Sequence, residues 1–157
     1  MHSPGKRGGS VRATRCAAPA RVRPAHYWGA VLAHLLHPFV PSQRERESTA
    51  TALSYSWSLK TSGQWSPLNP ARGQCNVTAL LLNELFGGEI LKTPLPEGDR
   101  FYIRVGGERV DLTDSQFAAA VIYLDIAPDR SEALAGTSVS EYEALRATFI
   151  EHFKSCE

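Results

Sequence analysis

Apolar residues recur at helical spacing in three stretches of the chain. In ESTATALSYSWSL, Ala50, Leu53 and Trp57 are three and four apart behind a Ser48 cap, which predicts a short helix. From Cys75 to Phe86, Val77, Leu80, Leu81, Leu82 and Leu85 form a broad apolar face, and Gly87-Gly88 stops the helix. In SVSEYEALRATFIEHF, Tyr142, Leu145, Phe149, Ile150 and Phe153 lie on one stripe behind a Ser138/Glu141 capping box. Between the second and third helices the period changes to two. GEILKTPL reads as a strand, and RFYIRV-GG-ERVDLT reads as a hairpin closed by a type I′ Gly-Gly turn. That turn sets Val105 opposite Glu108, Ile103 opposite Val110, and Tyr102 opposite Asp111. One face then carries Phe101, Ile103, Val110 and Leu112, and the other carries Arg100, Tyr102, Arg104, Arg109 and Asp111. TDSQ (113–116) resembles a capping box opening a short helix, and VIYLDI (121–126) reads as a further strand. The fold class expected is α+β: a central Cys-bearing helix on a small antiparallel sheet, with an amphipathic C-terminal helix.

Composition changes this picture mainly at the N-terminus. The 157 residues are 43% hydrophobic and 21% charged, the balance of a globular chain. Residues 1–47 hold eight Lys/Arg against two acids, and the remaining 110 hold nine against fourteen. Residues 1–46 are therefore expected to be a basic, disordered to partly helical extension, and 47–157 the α+β domain. The apolar stretch AHYWGAVLAHLLHPFV is too short for a membrane span. A basic segment before an apolar one mimics a signal peptide, but His26, His34, His37 and the prolines depart from that pattern. Neither a recognition helix nor aromatic–basic interleaving is present to suggest nucleic acid. The partner expected is a small-molecule or peptide substrate, with no nucleic acid and no membrane.

Three cysteines (Cys16, Cys75, Cys156), with no CxxC, point to a reducing compartment, here the cytoplasm, and away from disulfides or zinc. His34 and His37 read as a pair on an amphipathic helix and His152 as a solvent-facing helix residue. No metal site and no cofactor are implied.

The chemistry gathers at NPARGQC (69–75). A thiolate is the reactive form of cysteine, and the free N–H groups and dipole of a helix N-terminus favour it. Cys75 starts the central helix. Gln74 is a candidate oxyanion donor, and Arg72 a candidate for a positive field or a substrate carboxylate. Trp65, in the preceding loop, reads first as a loop anchor and second as a ligand contact. Asp111 is the candidate orienting acid, but no histidine lies between His37 and His152 to serve as base. Arg100, diagonal to Asp111, is too basic for that role. The plain reading of Arg100 and Asp111 is a surface cross-strand ion pair contributing well under about 1 kcal/mol.

SWSLKTSGQWSPLNPARGQCNVTALLLNELFGGEILKT followed by FYIRVGGERVDLTDSQF resembles the YunG-like family of small bacterial proteins, over about Ser48 to the C-terminus. The resemblance implies a reduced papain- or transglutaminase-type site with Cys75 as nucleophile and Asp111 as orienter. Relatives often carry His just before the Phe-Tyr pair, where this chain has Arg100. The function implied is amide hydrolysis or acyl transfer, degenerate if the missing base matters. The alternative is a non-catalytic ligand- or protein-binding domain. Arg100, Arg72, Trp65 and Tyr102 are the expected substrate-binding residues.

Overall fold

The computed structural model describes residues 39–155. Residues 1–38 of the basic extension, with Cys16 and the His34/His37 pair, and Cys156 lie outside them. Four helices and three strands follow in order: α1 (Gln43–Ser56), α2 (Cys75–Phe86), β1 (Glu89–Leu95), β2 (Gly98–Val105), β3 (Glu108–Val110), α3 (Arg130–Ala135) and α4 (Val139–Ser155). The sheet is antiparallel in the order β1-β2-β3, so the architecture is α+β. Helix α2 packs on β2, and α4 packs on α1 and α2. The main core joins Leu53, Val77, Leu81, Leu82, Leu85, Ile103, Val105, Val110, Leu145 and Phe149. Leu81 and Ile103 are wholly buried at its centre. Burying one such side chain contributes about 1.5–3 kcal/mol.

Helix α2 has the bounds its apolar pattern predicts. The hairpin register is also the expected one, because Gly106 (φ 56°) and Gly107 (φ 83°) take the two positive-φ positions of a type I′ turn. The Ser138/Glu141 box forms in both directions. Three elements differ from expectation. Helix α1 starts before Ser48, because Ser42 and Glu45 make the capping box. Thr113 does not cap a helix. Its hydroxyl bonds Asp111, and only a 3-10 turn, Asp114–Gln116, follows. Helix α3 shows no periodicity in its six residues, but Asp129 and Glu132 cap it.

The VIYLDI segment makes no strand. A single backbone bridge joins Ile126 and Lys92, at 2.8 and 3.0 Å. Two residues on in either direction, the next ladder positions would pair Pro94 with Leu124 and Ile90 with Pro128. Neither proline has an N–H to give, so the ladder stops. Side chains hold the segment instead: Leu124 N–H donates to Thr93 Oγ1 at 2.9 Å, and Asp125 N–H to the Tyr102 hydroxyl at 3.0 Å. The result is an extended strap over the second face of β2.

Candidate functional site

Cys75 is the first residue of α2 and Gln74 is its N-cap. Gly73 brings the chain into that start with φ +71°. A Cβ there would lie 2.5 Å from Ser62 Oγ and 2.9 Å from Gln64 Cβ. The Ser62–Trp65 turn is therefore stacked directly on the entry to the helix. The Gln74 N–H donates to Ala71 O at 3.1 Å, so its backbone donor is taken and only the side chain remains for a ligand. That side chain is wholly buried, and neither Nε2 nor Oε1 meets a protein partner.

The Cys75 thiol is half-buried and approaches Asn76 Oδ1 (3.8 Å) and Asp99 O (3.9 Å). Burial pushes the thiol pKa up. The Phe101 backbone N–H and the Arg100 charge partly offset this, and the Asp111 charge adds to it. Cys75, Arg100 and Asp111 thus lie within electrostatic reach of one another.

The Arg100–Asp111 pair is not a surface pair. The two side chains are 1% and 6% exposed, because the strap and Phe117 cover the face that a two-stranded alternation leaves open. Arg100 Nε donates to Asp111 Oδ2 at 2.7 Å, and its guanidinium lies 4.6 Å from the centre of the Phe117 ring. Arg100 Nη2 is 2.5 Å from the same oxygen but off the hydrogen-bonding direction, and Nη1 has no acceptor in the protein. The other Asp111 oxygen accepts the Thr113 N–H and hydroxyl, each at 3.0 Å. Tyr123 donates to Oδ2 at 2.8 Å; burial, and after it the Asp111 charge and this bond, push the phenol pKa up to about 12. Each carboxylate oxygen is therefore engaged twice. Thr113 was legible as an Asx-turn partner in Asp-x-Thr. Tyr123 and Phe117 carry no local signal, because only the path of the chain after β3, through the 3-10 turn and the strap, brings them here.

The other expected residues are less central. Tyr102 is 1% exposed, and its hydroxyl is held by Thr93 (2.9 Å), Asp125 Oδ1 (2.9 Å) and the Asp125 N–H. It locks the strap, with the Tyr123 ring edge-on at 4.9 Å. Arg72 is exposed in the turn before the helix. Trp65 packs half-buried on the main core, and its indole N–H has no acceptor in the protein. His152, the only histidine among the described residues, stacks near Tyr55 of α1 at 5.8 Å. Among the described residues no group of three or more His, Cys, Asp or Glu is placed to hold a metal, and no helix is long and apolar enough to cross a membrane.

A family model described as YunG protein matches residues 45–154. The chain is 40% identical over 103 residues to the protein named "Uncharacterized protein YunG" of Bacillus subtilis (strain 168), a match that covers 66% of this chain and 90% of that protein. No solved structure matches the chain. With the family model spanning most of the chain and the Bacillus protein aligned over nearly its whole length, the chain belongs to the YunG family.

Proposed function

We propose that Cys75, Arg100 and Asp111 form a cysteine-centred site of the papain or transglutaminase type, in which Arg100 occupies the place of the base. The observation that carries this reading is the thiol at a helix start, 3.9 Å from the Asp99 carbonyl that precedes Arg100, beside the buried cation–carboxylate pair of Arg100 on β2 and Asp111 just after β3. In amide hydrolysis or acyl transfer the Cys75 sulfur attacks a carbonyl carbon. The carbonyl oxygen becomes an oxyanion, facing the α2 N-terminal N–H groups and the Gln74 carboxamide. Collapse expels the amine and leaves a thioester, which water or a second nucleophile cleaves. Arg100 stays protonated, so the thiol proton passes to solvent or to the departing amine. Asp111 fixes Arg100 and accepts no proton in the cycle. Such a site turns over slowly at neutral pH.

A second reading is a binding domain with no turnover. The upward shift of the thiol and the full engagement of Asp111 favour it. Incubation of the full chain with chromogenic acyl anilides and esters, followed by mass spectrometry of the Cys75 peptide, separates the two. Acyl-Cys75 and anilide release that both vanish in Cys75→Ala support the first reading. Ligand binding with no acyl adduct at any pH supports the second.

A further inference from the structure

Several buried polar atoms near the start of α2 have no partner in the protein. Gln74 presents a carboxamide with 0% exposure, whose donor Nε2 and acceptor Oε1 are both unmet. Arg100, 1% exposed, has an unmet Nη1, and Trp65 has an unmet indole N–H. These groups come from one neighbourhood. Gln74 adjoins Cys75, Trp65 belongs to the turn stacked on Gly73, and the Cys75 sulfur lies 3.9 Å from the carbonyl oxygen of Asp99, the residue before Arg100. A buried polar atom left unmet costs about 1–3 kcal/mol. Native chains therefore meet such groups with water or a ligand.

Charge decides which ligand fits. Arg100 is neutralised by Asp111, and the thiol is held in its neutral form by burial. A bound carboxylate would be an uncompensated buried charge, despite the arginine beside it. It would also offer no N–H to Gln74 Oε1. An ester has the same lack. A carboxamide supplies a carbonyl for the donors of Gln74, Arg100 and Trp65, and an N–H for Gln74 Oε1.

We infer that the Cys75 site is built for a neutral carboxamide, selected over the matching carboxylate and ester by the buried Gln74 side chain, with Trp65 Nε1 and Arg100 Nη1 as further donors. The inference rests on the Cys75 site proposed above and adds its ligand class. Arg100 acts here as a hydrogen-bond donor and not as an anion clamp.

Two alkylating agents of nearly equal size test it, iodoacetamide and iodoacetate. For each, the rate at Cys75 in the full chain is divided by the rate at glutathione. The expected result is a relative preference for iodoacetamide of roughly tenfold or more, the discrimination expected when a buried hydrogen-bonding group is left unpaired. Gln74→Glu should abolish most of it. A ratio equal to that of glutathione, or a preference for iodoacetate, overturns the inference. A second arm does not depend on thiol reactivity. In Cys75→Ala, the Trp65 indole and Gln74 carboxamide resonances should shift on titration with acetamide and stay in place with sodium acetate or methyl acetate. Shifts with none of the three, or equally with all three, overturn the inference, whereas failure of both reagents to alkylate Cys75 counts against the nucleophile alone.

Discussion

Arg100 Nε donates to Asp111 Oδ2 at 2.7 Å in a pair that is almost wholly out of water, and Thr113 and Tyr123 complete the carboxylate's shell. A pair in this position has a different energetic character from one at the surface. Removing one partner leaves a buried charge without compensation, whereas removing both leaves mainly a packing problem.

Asp111→Ala should accordingly destabilise the chain by about 3–5 kcal/mol, because Arg100 is left charged beneath the strap. Arg100→Met should cost a comparable amount, since the Asp111 carboxylate then keeps only neutral donors. The double variant Arg100→Met/Asp111→Leu should be more stable than either single variant. Urea unfolding of the four chains measures this. Additive losses would contradict the burial of the pair.

The thiol predicts a pH dependence. Its pKa lies above the ordinary 9.0, chiefly through burial. Iodoacetamide reacts with the thiolate, so the Cys75 rate should be low at pH 7 and rise through a midpoint above 9.0. The stability sign follows from the same shift. The unfolded chain loses this proton first, so the contribution is complete below the unfolded value and declines as pH rises through the folded one. Alkylation rates across pH, with site mapping by mass spectrometry, measure the midpoint. A midpoint below that of a free thiol would mean that Arg100 and the helix N-terminus outweigh burial.

Two kinds of signal were readable in the sequence. A two-residue Gly-Gly turn admits one register, so the facing of Ile103 and Val110 followed from the turn alone. The α2 pattern likewise runs from Cys75 to a helix-stopping Gly pair. What stayed hidden depends on contacts between distant segments. Alternation along β2 suggests a solvent face at Arg100 and Tyr102, yet the strap covers both, and their polar groups pair with Asp111 after β3, Asp125 of the strap and Thr93 of β1. The prolines that keep the strap from becoming a strand were visible, but their effect depends on a pairing with β1 that no local pattern reveals. Cys75 as the candidate thiol was legible from its helix start. The buried state of its neighbours was not.

Gly73→Ala should disturb the site through the backbone. The position combines φ +71° with a Cβ location 2.5 Å from Ser62 Oγ, so both strain and overlap oppose a side chain. A loss of about 1–3 kcal/mol is expected. Gly63→Ala is the control. Nothing lies within 4 Å of its Cβ location, and its φ is outside the positive region, so its effect should stay near zero. Thermal unfolding of the two variants compares them directly.

Arg100→His tests whether the site lacks only its base. Arg100 already places a cation near Cys75, so charge alone gives no gain. What the substitution adds to the proposed site is an imidazole, oriented by Asp111 Oδ2, that takes the thiol proton in a cysteine–histidine ion pair, which a guanidinium cannot do. The alkylation midpoint of Cys75 should therefore move down by at least about one pH unit relative to the parent chain. Arg100→Gln separates a base from mere loss of bulk. It removes a cation that lowers the Cys75 pKa and adds no titratable group, so its midpoint should move up. The smaller side chain leaves space under the strap, so Arg100→His should also lose about 1–3 kcal/mol of stability, read by urea unfolding. In Arg100→His/Asp111→Asn the downward shift should shrink, because the ring no longer has a carboxylate to hold it protonated and oriented. Equal midpoints for the His and Gln variants would place position 100 out of contact with the thiol and remove it from the proposed site.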